Sequence, residues 1–199
     1  MVVQIALHLV NQVRKTIPMQ RTDIDFSKHE LIIAKSEGLL VHYLKKPGTI
    51  NCAVKFINTN GIMAVTGDLG NWMFCREFHP SDEGGVSDGY WCEKLRISST
   101  QESHDFSSEQ TIQLIDECII ESDNEEEKEY LQECIEALEG GEWEYQQYAY
   151  SNQPSFYDSE GVPYGKEIKY HLKGVFDAFD EICSRMKNEL NHNTDEKAK

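Results

Sequence analysis

The spacing of hydrophobic positions changes from helical to strand-like along the N-terminal half of the chain. Residues 2–15 carry apolar side chains at helical spacing, which predicts an amphipathic helix that Pro18 ends. From about Glu30 the pattern shortens to that of strands, interrupted by turn formers. The predicted strands cover residues 30–35, 39–46, 52–57, 62–67 and 71–78. We therefore predict an antiparallel β-meander of about five strands.

The pattern becomes helical again in the second half. Asp88 is a candidate cap for a short helix over residues 90–97, and residues 79–89 predict a long loop. Ser107 or Ser108 can cap the next helix, whose buried stripe is Ile112, Ile115 and Ile119. A further helix is predicted to begin at Asp123 and to end at Gly140–Gly141. Another is predicted to cover the first part of residues 142–165. The last predicted helix covers residues 166–190.

These elements predict an α+β fold. An N-terminal helix and an antiparallel sheet occupy residues 1–99, and a helical, acidic region over residues 100–190 packs on them as part of one compact unit. Residues 191–199 are predicted to be a flexible tail. Polar residues interrupt the apolar start, so it meets neither signal-peptide nor membrane-span criteria. The sequence thus predicts a soluble, cytoplasmic protein whose six scattered cysteines are thiols.

The net charge of −16 is concentrated in one segment of the chain. Residues 1–99 contain 11 basic and 10 acidic residues, and residues 165–199 contain 7 of each. Residues 100–164 contain 18 acidic residues and one basic residue, Lys128. A field of one sign repels nucleic acid and anionic membranes and attracts basic surfaces. The sequence therefore predicts a basic protein partner, with no direct binding to nucleic acid or membrane.

Two interpretations of the acidic segment stay open. Its glutamates can simply form the solvated face of a helix, or they can form a binding surface. Compensating Lys and Arg are nearly absent, and Glu125, Glu129 and Glu133 repel one another at helical spacing, which favours the binding interpretation. The candidate partner-binding residues are Glu125, Glu126, Glu127, Glu129, Glu133, Glu136, Trp143, Tyr145 and Tyr148. Trp and Tyr commonly anchor protein interfaces, although the same aromatic cluster could instead be core.

A second candidate site lies in the strand predicted over residues 71–78. Alternation places Trp72, Phe74 and Phe78 on one face, together with Arg76. Cys75, Glu77 and His79 share the other face, where a carboxylate could orient an imidazole beside a thiol. These three residues are the catalytic candidates, and the competing interpretation is the ordinary polar face of an antiparallel strand.

Motifs for cofactors and metals are missing from the sequence. Cys92 and His104 could complete a zinc site with Cys75 and His79, but their spacing matches no zinc signature. The glycine-rich stretches at 66–72 and 82–89 lack the phosphate-loop pattern and contain acidic residues that would repel phosphate. No calcium loop is present either. We predict neither a cofactor nor a metal.

One stretch resembles a known group of proteins. Residues 66–95, TGDLGNWMFCREFHPSDEGGVSDGYWCEKL, look like a segment of uncharacterised bacteriophage and prophage proteins. The resemblance implies a bacterial host cell. Small acidic phage proteins of similar profile include inhibitors of defence nucleases, such as anti-restriction and anti-CRISPR proteins. The acidic helices of this chain could, by their charge density, mimic nucleic acid. The stretch contains no motif with an assigned chemical role.

The sequence is therefore compatible with three functions. The favoured one is a non-enzymatic protein whose acidic helical surface binds a basic, nucleic-acid-binding partner. The second is a small enzyme or nucleotide-handling protein with its site near Cys75, Glu77 and His79. The third is a structural or assembly protein that forms homo-oligomers through its last helix.

Overall fold

The computed structural model describes residues 21–80, 86–98, 103–154 and 162–197. This part of the chain contains eight strands and five helices, which confirms the predicted α+β class. The helix predicted over residues 2–15 lies outside the described residues. The chain divides into two compact units: unit 1 comprises Met1–Gln101 and Tyr170–Lys199, and unit 2 comprises Glu102–Lys169. The last helix, which was predicted to belong to the acidic region, is part of unit 1.

Unit 1 is built on an antiparallel sheet in which each strand pairs with the next along the chain. Its strands are β1 (Glu30–Ser36), β2 (Leu39–Lys45), β3 (Val54–Thr59), β4 (Ile62–Gly67), β5 (Trp72–Phe74) and β6 (Leu95–Ser98). The predicted meander is therefore confirmed and gains a sixth strand. Strand β5 is shorter than predicted, because the chain bends immediately after Phe74.

Two helices complete unit 1. Helix α1 (Asp88–Lys94) is capped by Ser87, whose hydroxyl accepts a hydrogen bond from the amide of Tyr90, so the predicted bounds 90–97 and the Asp88 cap are wrong. Helix α5 (Tyr170–Lys197) starts later than predicted. It also extends through most of the predicted tail, since residues 191–197 contain no glycine or proline to stop it.

The core of unit 1 is aromatic. Trp91 of α1 is fully buried, and its ring stacks on Phe78 at 4.2 Å and on Phe176 of α5 at 5.1 Å between centroids. Phe74 and Phe179 meet the same indole edge to face. The apolar stripe of α5 thus packs in the core of its own unit.

Unit 2 is a small helical unit closed by a β-ribbon. Its helices are α2 (Ser108–Glu121), α3 (Glu125–Ala137) and α4 (Glu142–Ser151), with a 3₁₀ turn at Leu138–Gly140. The ribbon pairs β7 (His104–Phe106) with β8 (Lys166–Ile168), neither of which was predicted. Ser107 caps α2, one of the two predicted caps, whereas α3 is capped by Asn124 rather than by Asp123.

Gly165 ties the ribbon of unit 2 to the first turn of α2. Its amide donates to Thr111 Oγ1 at 2.9 Å, and its carbonyl accepts from the amide of Ser107 at 3.0 Å. A β-carbon at this position would lie 2.3 Å from the backbone nitrogen of Thr111, so only glycine permits this approach.

Candidate functional site

Unit 2 exposes a large excess of carboxylates. Fifteen described Asp and Glu side chains of this unit are exposed: Asp105, Glu109, Asp116, Glu117, Glu121, Asp123, Glu125, Glu126, Glu129, Glu133, Glu136, Glu139, Glu142, Glu144 and Glu167. The unit has three lysines. Lys128 pairs with Glu125, Lys169 pairs with Asp105, and Lys166 lies over an aromatic ring. The acidic field of this unit is therefore almost uncompensated.

Helix α3 places five of these glutamates on one face. A helical residue advances by about 100°, and at this spacing the five lie within an arc of about 100°. They are Glu125, Glu126, Glu129, Glu133 and Glu136, all exposed. The arc is centred opposite Leu131, which is fully buried in the core of the unit. We call these five residues the α3 acidic face.

Glu127 belongs to the start of the helix and lies outside the α3 acidic face. Helical spacing turns its side chain toward the core side, where it is half-buried. Its Oε2 accepts a hydrogen bond of 2.6 Å from Ser122 Oγ. The prediction that Glu127 contacts a partner is not supported by this position, because its carboxylate already closes the turn between α2 and α3.

Helix dipoles explain only part of the acidic pattern. Carboxylates in the first turn of α3 are stabilised by the partial positive charge of a helix N-terminus. Glu133 and Glu136 lie in the second half of the helix, where a cation would be favourable. The last turns of α2, α3 and α4 contain no basic residue. Each pair of like charges one turn apart costs about 0.2–0.5 kcal/mol, so helix stability alone does not account for the pattern.

The aromatic candidates divide between the core and the surface. Tyr145 is fully buried, and its hydroxyl donates a hydrogen bond to the carbonyl of Pro163. It is therefore a core residue, and its predicted role in partner binding is wrong. Trp143, in contrast, is 70% exposed. Tyr150, which lies on the same helix two turns later, is 64% exposed.

Tyr148 is half-buried and is joined to the α3 acidic face. Its hydroxyl donates a hydrogen bond to Glu133, and this bond raises the pKa of the phenol to about 12. The ring of Tyr148 also packs against that of Tyr130. Tyr148 thus fixes the position of one carboxylate of the face.

The second candidate site is only partly assembled. Glu77 and His79 do come together, with His79 Nε2 at 2.9 Å from Glu77 Oε2. The other oxygen of Glu77 accepts a hydrogen bond of 2.9 Å from the amide of Gly61. Cys75 is exposed, and within the described residues its thiol has no hydrogen bond to either side chain. The predicted group of three is therefore a Glu–His pair with a separate thiol.

Asn58, which the sequence analysis did not single out, holds the Glu–His pair in place. This buried side chain donates to the carbonyl of Phe78 at 2.6 Å and accepts from the amide of Phe78 at 3.1 Å. The clamp fixes the residue between Glu77 and His79. Both side chains line an open cleft of about 550 Å³ beside Lys35. An asparagine inside a strand gives no sequence signal for this role, because its partner lies 20 residues away.

The zinc alternative has no support in the geometry. Across residues 21–80, 86–98, 103–154 and 162–197, no group of three or more His, Cys, Asp or Glu side chains is close enough to hold a metal ion. Cys92 is half-buried, and burial raises the pKa of its thiol, which disfavours the thiolate that zinc needs. His104 belongs to unit 2, where its Nδ1 is 2.8 Å from Ser103 Oγ.

A partly buried ion network in unit 1 was also not predicted. Asp177 of α5 accepts hydrogen bonds from the backbone amides of Arg21 and Thr22, at 2.9 and 2.8 Å. The guanidinium of Arg21 pairs with Asp180 at 2.7 Å and with Asp88 at 2.6 Å. Burial raises the pKa of the Asp180 carboxyl, against the opposing effect of Arg21. This network anchors the chain at residues 21–22 to α5.

Comparisons with models of protein families, with curated protein sequences and with solved structures found no match to this chain. The resemblance of residues 66–95 to phage proteins therefore stays a prediction. A search of the described helices found none that combines the length and the apolar character needed to cross a membrane.

Proposed function

We propose that this protein is a non-enzymatic binding protein whose α3 acidic face engages a basic surface of a nucleic-acid-binding protein. The observation that supports this function best is the arrangement of five exposed glutamates on one face of α3, with the three lysines of unit 2 already engaged. A basic groove that binds nucleic acid offers the complementary charge.

The spacing of these charges suits a surface evolved for nucleic acid. At a rise of about 1.5 Å per residue, Glu125 to Glu136 spans about 16 Å, or about one carboxylate every 4 Å. One DNA strand carries a phosphate about every 3.4 Å. The acidic face can therefore substitute for a short length of phosphate backbone. The phage resemblance adds a setting for this proposal: inhibition of a defence nuclease in the cytoplasm of a bacterial host.

Charge reversal on the acidic face tests the proposal. The variant Glu126→Lys/Glu129→Lys changes two exposed side chains and spares Glu133, whose carboxylate holds Tyr148. The control Glu30→Lys/Glu37→Lys changes the net charge equally on exposed residues of unit 1. Proteins captured from host lysate by the unmodified chain are identified by mass spectrometry, and capture is repeated with each variant and with competing DNA.

We expect the captured partner to be basic, to be displaced by DNA, and to be lost from the acidic-face variant but retained by the control. Capture that survives reversal of Glu126 and Glu129, or that both variants lose equally, would contradict the proposal. The second outcome would mean that net charge, rather than the α3 acidic face, attracts the partner.

The Glu77–His79 pair supports a second candidate function, a small enzyme or nucleotide-handling protein. A carboxylate that accepts a hydrogen bond from one imidazole nitrogen leaves the other nitrogen able to act as a base. The variants His79→Gln and Cys75→Ala separate the two parts of this site. The measurement is the increase in melting temperature that nucleotides cause. If His79→Gln leaves this increase unchanged, the second candidate function is excluded.

The assembly alternative has less to support it. The apolar residues of α5 that it would use, among them Leu172, Val175 and Ile182, are fully buried within unit 1. An oligomer formed through these side chains would require unit 1 to open.

A further inference from the structure

Helix α4 carries an aromatic stripe that the core of unit 2 does not use. Trp143 and Tyr150 are seven residues apart, so they lie on the same side of the helix, about 10 Å from each other along its axis. Tyr145 and Ala149, on the opposite side, are fully buried. Helical spacing therefore holds Trp143 and Tyr150 away from the core. We call these two residues the α4 aromatic stripe.

The exposure of this stripe is unusual for an isolated unit. Large aromatic side chains are mostly withdrawn from water, and those that stay exposed often mark interfaces. Trp143 is 70% exposed and Tyr150 is 64% exposed. Burying them would release water from a large apolar area, and tryptophan and tyrosine are the residues that most often dominate binding energy.

The charge around the stripe limits what can cover it. Glu139, Glu142 and Glu144 are exposed near the start of α4, and the last turn of the helix carries no basic residue. Anionic membranes and nucleic acids would be repelled by this field. A second copy of unit 2 would bring a field of the same sign. A surface that is both basic and apolar can pair its cations with the carboxylates and pack its apolar side chains against the aromatic rings.

We infer that the α4 aromatic stripe docks a basic amphipathic helix of the partner protein. Such a helix presents apolar residues at positions i, i+3, i+4 and i+7, a repeat that matches the two-turn length of the stripe, and its flanking lysines and arginines face the carboxylates. This inference rests on the proposed function. It adds a component of binding that salt does not weaken and that mimicry of nucleic acid alone would lack.

Trp143 itself reports on the stripe. The sequence contains three tryptophans, and the other two, Trp72 and Trp91, are 3% and 0% exposed. Collisional quenching by acrylamide in the native protein therefore reports mainly on Trp143. The probe is a synthetic Lys/Leu peptide with its leucines at helical spacing. A peptide of the same composition, with the leucines scrambled to remove the stripe, is the control ligand.

We expect the patterned peptide to shift the emission of Trp143 to shorter wavelength and to protect it from acrylamide. Tyr150→Ser should weaken binding of the patterned peptide by about tenfold or more, as loss of an interface anchor does, and should leave the scrambled peptide unaffected. Ile50→Ser is the matched control, because Ile50 is 75% exposed but belongs to unit 1. It should change neither affinity.

Three results would overturn the inference. Equal, salt-sensitive binding of both peptides without protection of Trp143 would exclude the α4 aromatic stripe as a docking site. The proposed function would not be affected by this result. Protection of Trp143 on raising the protein concentration alone would assign the stripe to a contact between copies. Absence of binding by either peptide at low salt would contradict the proposed function and this inference together.

Discussion

At the scale of single residues, the inner face of the sheet contains an unusual imidazole. His42 is 1% exposed, and within the described residues neither ring nitrogen has a hydrogen-bond partner. Its pKa is lowered from the ordinary 6.5, first by burial and then by the charge of nearby His79. The folded protein therefore keeps His42 neutral where an unfolded chain would begin to protonate it.

This burial predicts a pH dependence of the stability of unit 1. The unfolded chain binds a proton near pH 6.5 and the folded chain only at lower pH, so stability is complete above that value and falls as the pH drops below it. Below pH 6.5 His42 contributes a slope of at most about 1.4 kcal/mol per pH unit. Urea unfolding followed through buried Trp72 and Trp91 should show a smaller slope for His42→Leu. Identical slopes would contradict the account.

The cysteines should differ widely in reactivity. Cys75 is exposed, whereas Cys134 is 1% exposed and burial raises the pKa of its thiol to about 11. Thiolates, not thiols, react with iodoacetamide. Mass spectrometry of the native protein at neutral pH should find Cys75 alkylated well before Cys134, with the difference lost in denaturant. Equal rates in the native protein would show that the core of unit 2 is open.

The sequence allowed some side-chain positions to be predicted and not others. Strand alternation predicted that Trp72 and Phe74 share one face, and both are buried; Phe78 is buried too, although it lies beyond the end of β5. Glu77 and His79 do meet, but they follow the bend after Phe74, so strand alternation does not account for their contact. Helical periodicity could not separate Trp143 from Tyr145, because α4 has aromatic residues on opposite sides and no single apolar face.

At the scale of elements, the long segments were predictable and the short ones were not. Strands β1 to β4 and helices α2 and α3 carry clear periods and turn or cap signals. Strands β6 and β8 have four and three residues, too few to establish a period. They exist because a neighbouring strand, β5 or β7, offers its hydrogen bonds. Such pairing depends on long-range structure that local sequence does not encode.

The anchoring of the chain to α5 is a testable element of the fold. Asp177 is buried and accepts hydrogen bonds from the backbone amides of Arg21 and Thr22. The substitution Asp177→Ala would leave both amides without an acceptor. We expect this substitution to lower the free energy of unfolding by about 3 kcal/mol. Glu30→Ala, on an exposed strand position, should change it by less than about 0.5 kcal/mol. Chemical denaturation measures both, and similar small effects would contradict a stabilising role for the network.

At the scale of the whole molecule, charge and fold coincide. The acidic segment found by counting, residues 100–164, corresponds closely to the unit that folds as Glu102–Lys169. The acidic segment could be located from the sequence because counting charged residues needs no knowledge of the fold. Helical spacing gathers five of the six predicted glutamates on α3 into one face, and the structure adds that all five are exposed whereas Glu127 is half-buried.

The salt dependence of binding to the captured basic partner distinguishes binding through the α3 acidic face from attraction by net charge. The dissociation constant is measured over a series of salt concentrations for the unmodified chain, Glu126→Lys/Glu129→Lys and Glu30→Lys/Glu37→Lys. Because contacts between charges release counterions or are screened, we expect a steep dependence that flattens only in the acidic-face variant. Equal slopes for all three proteins would contradict binding through the α3 acidic face.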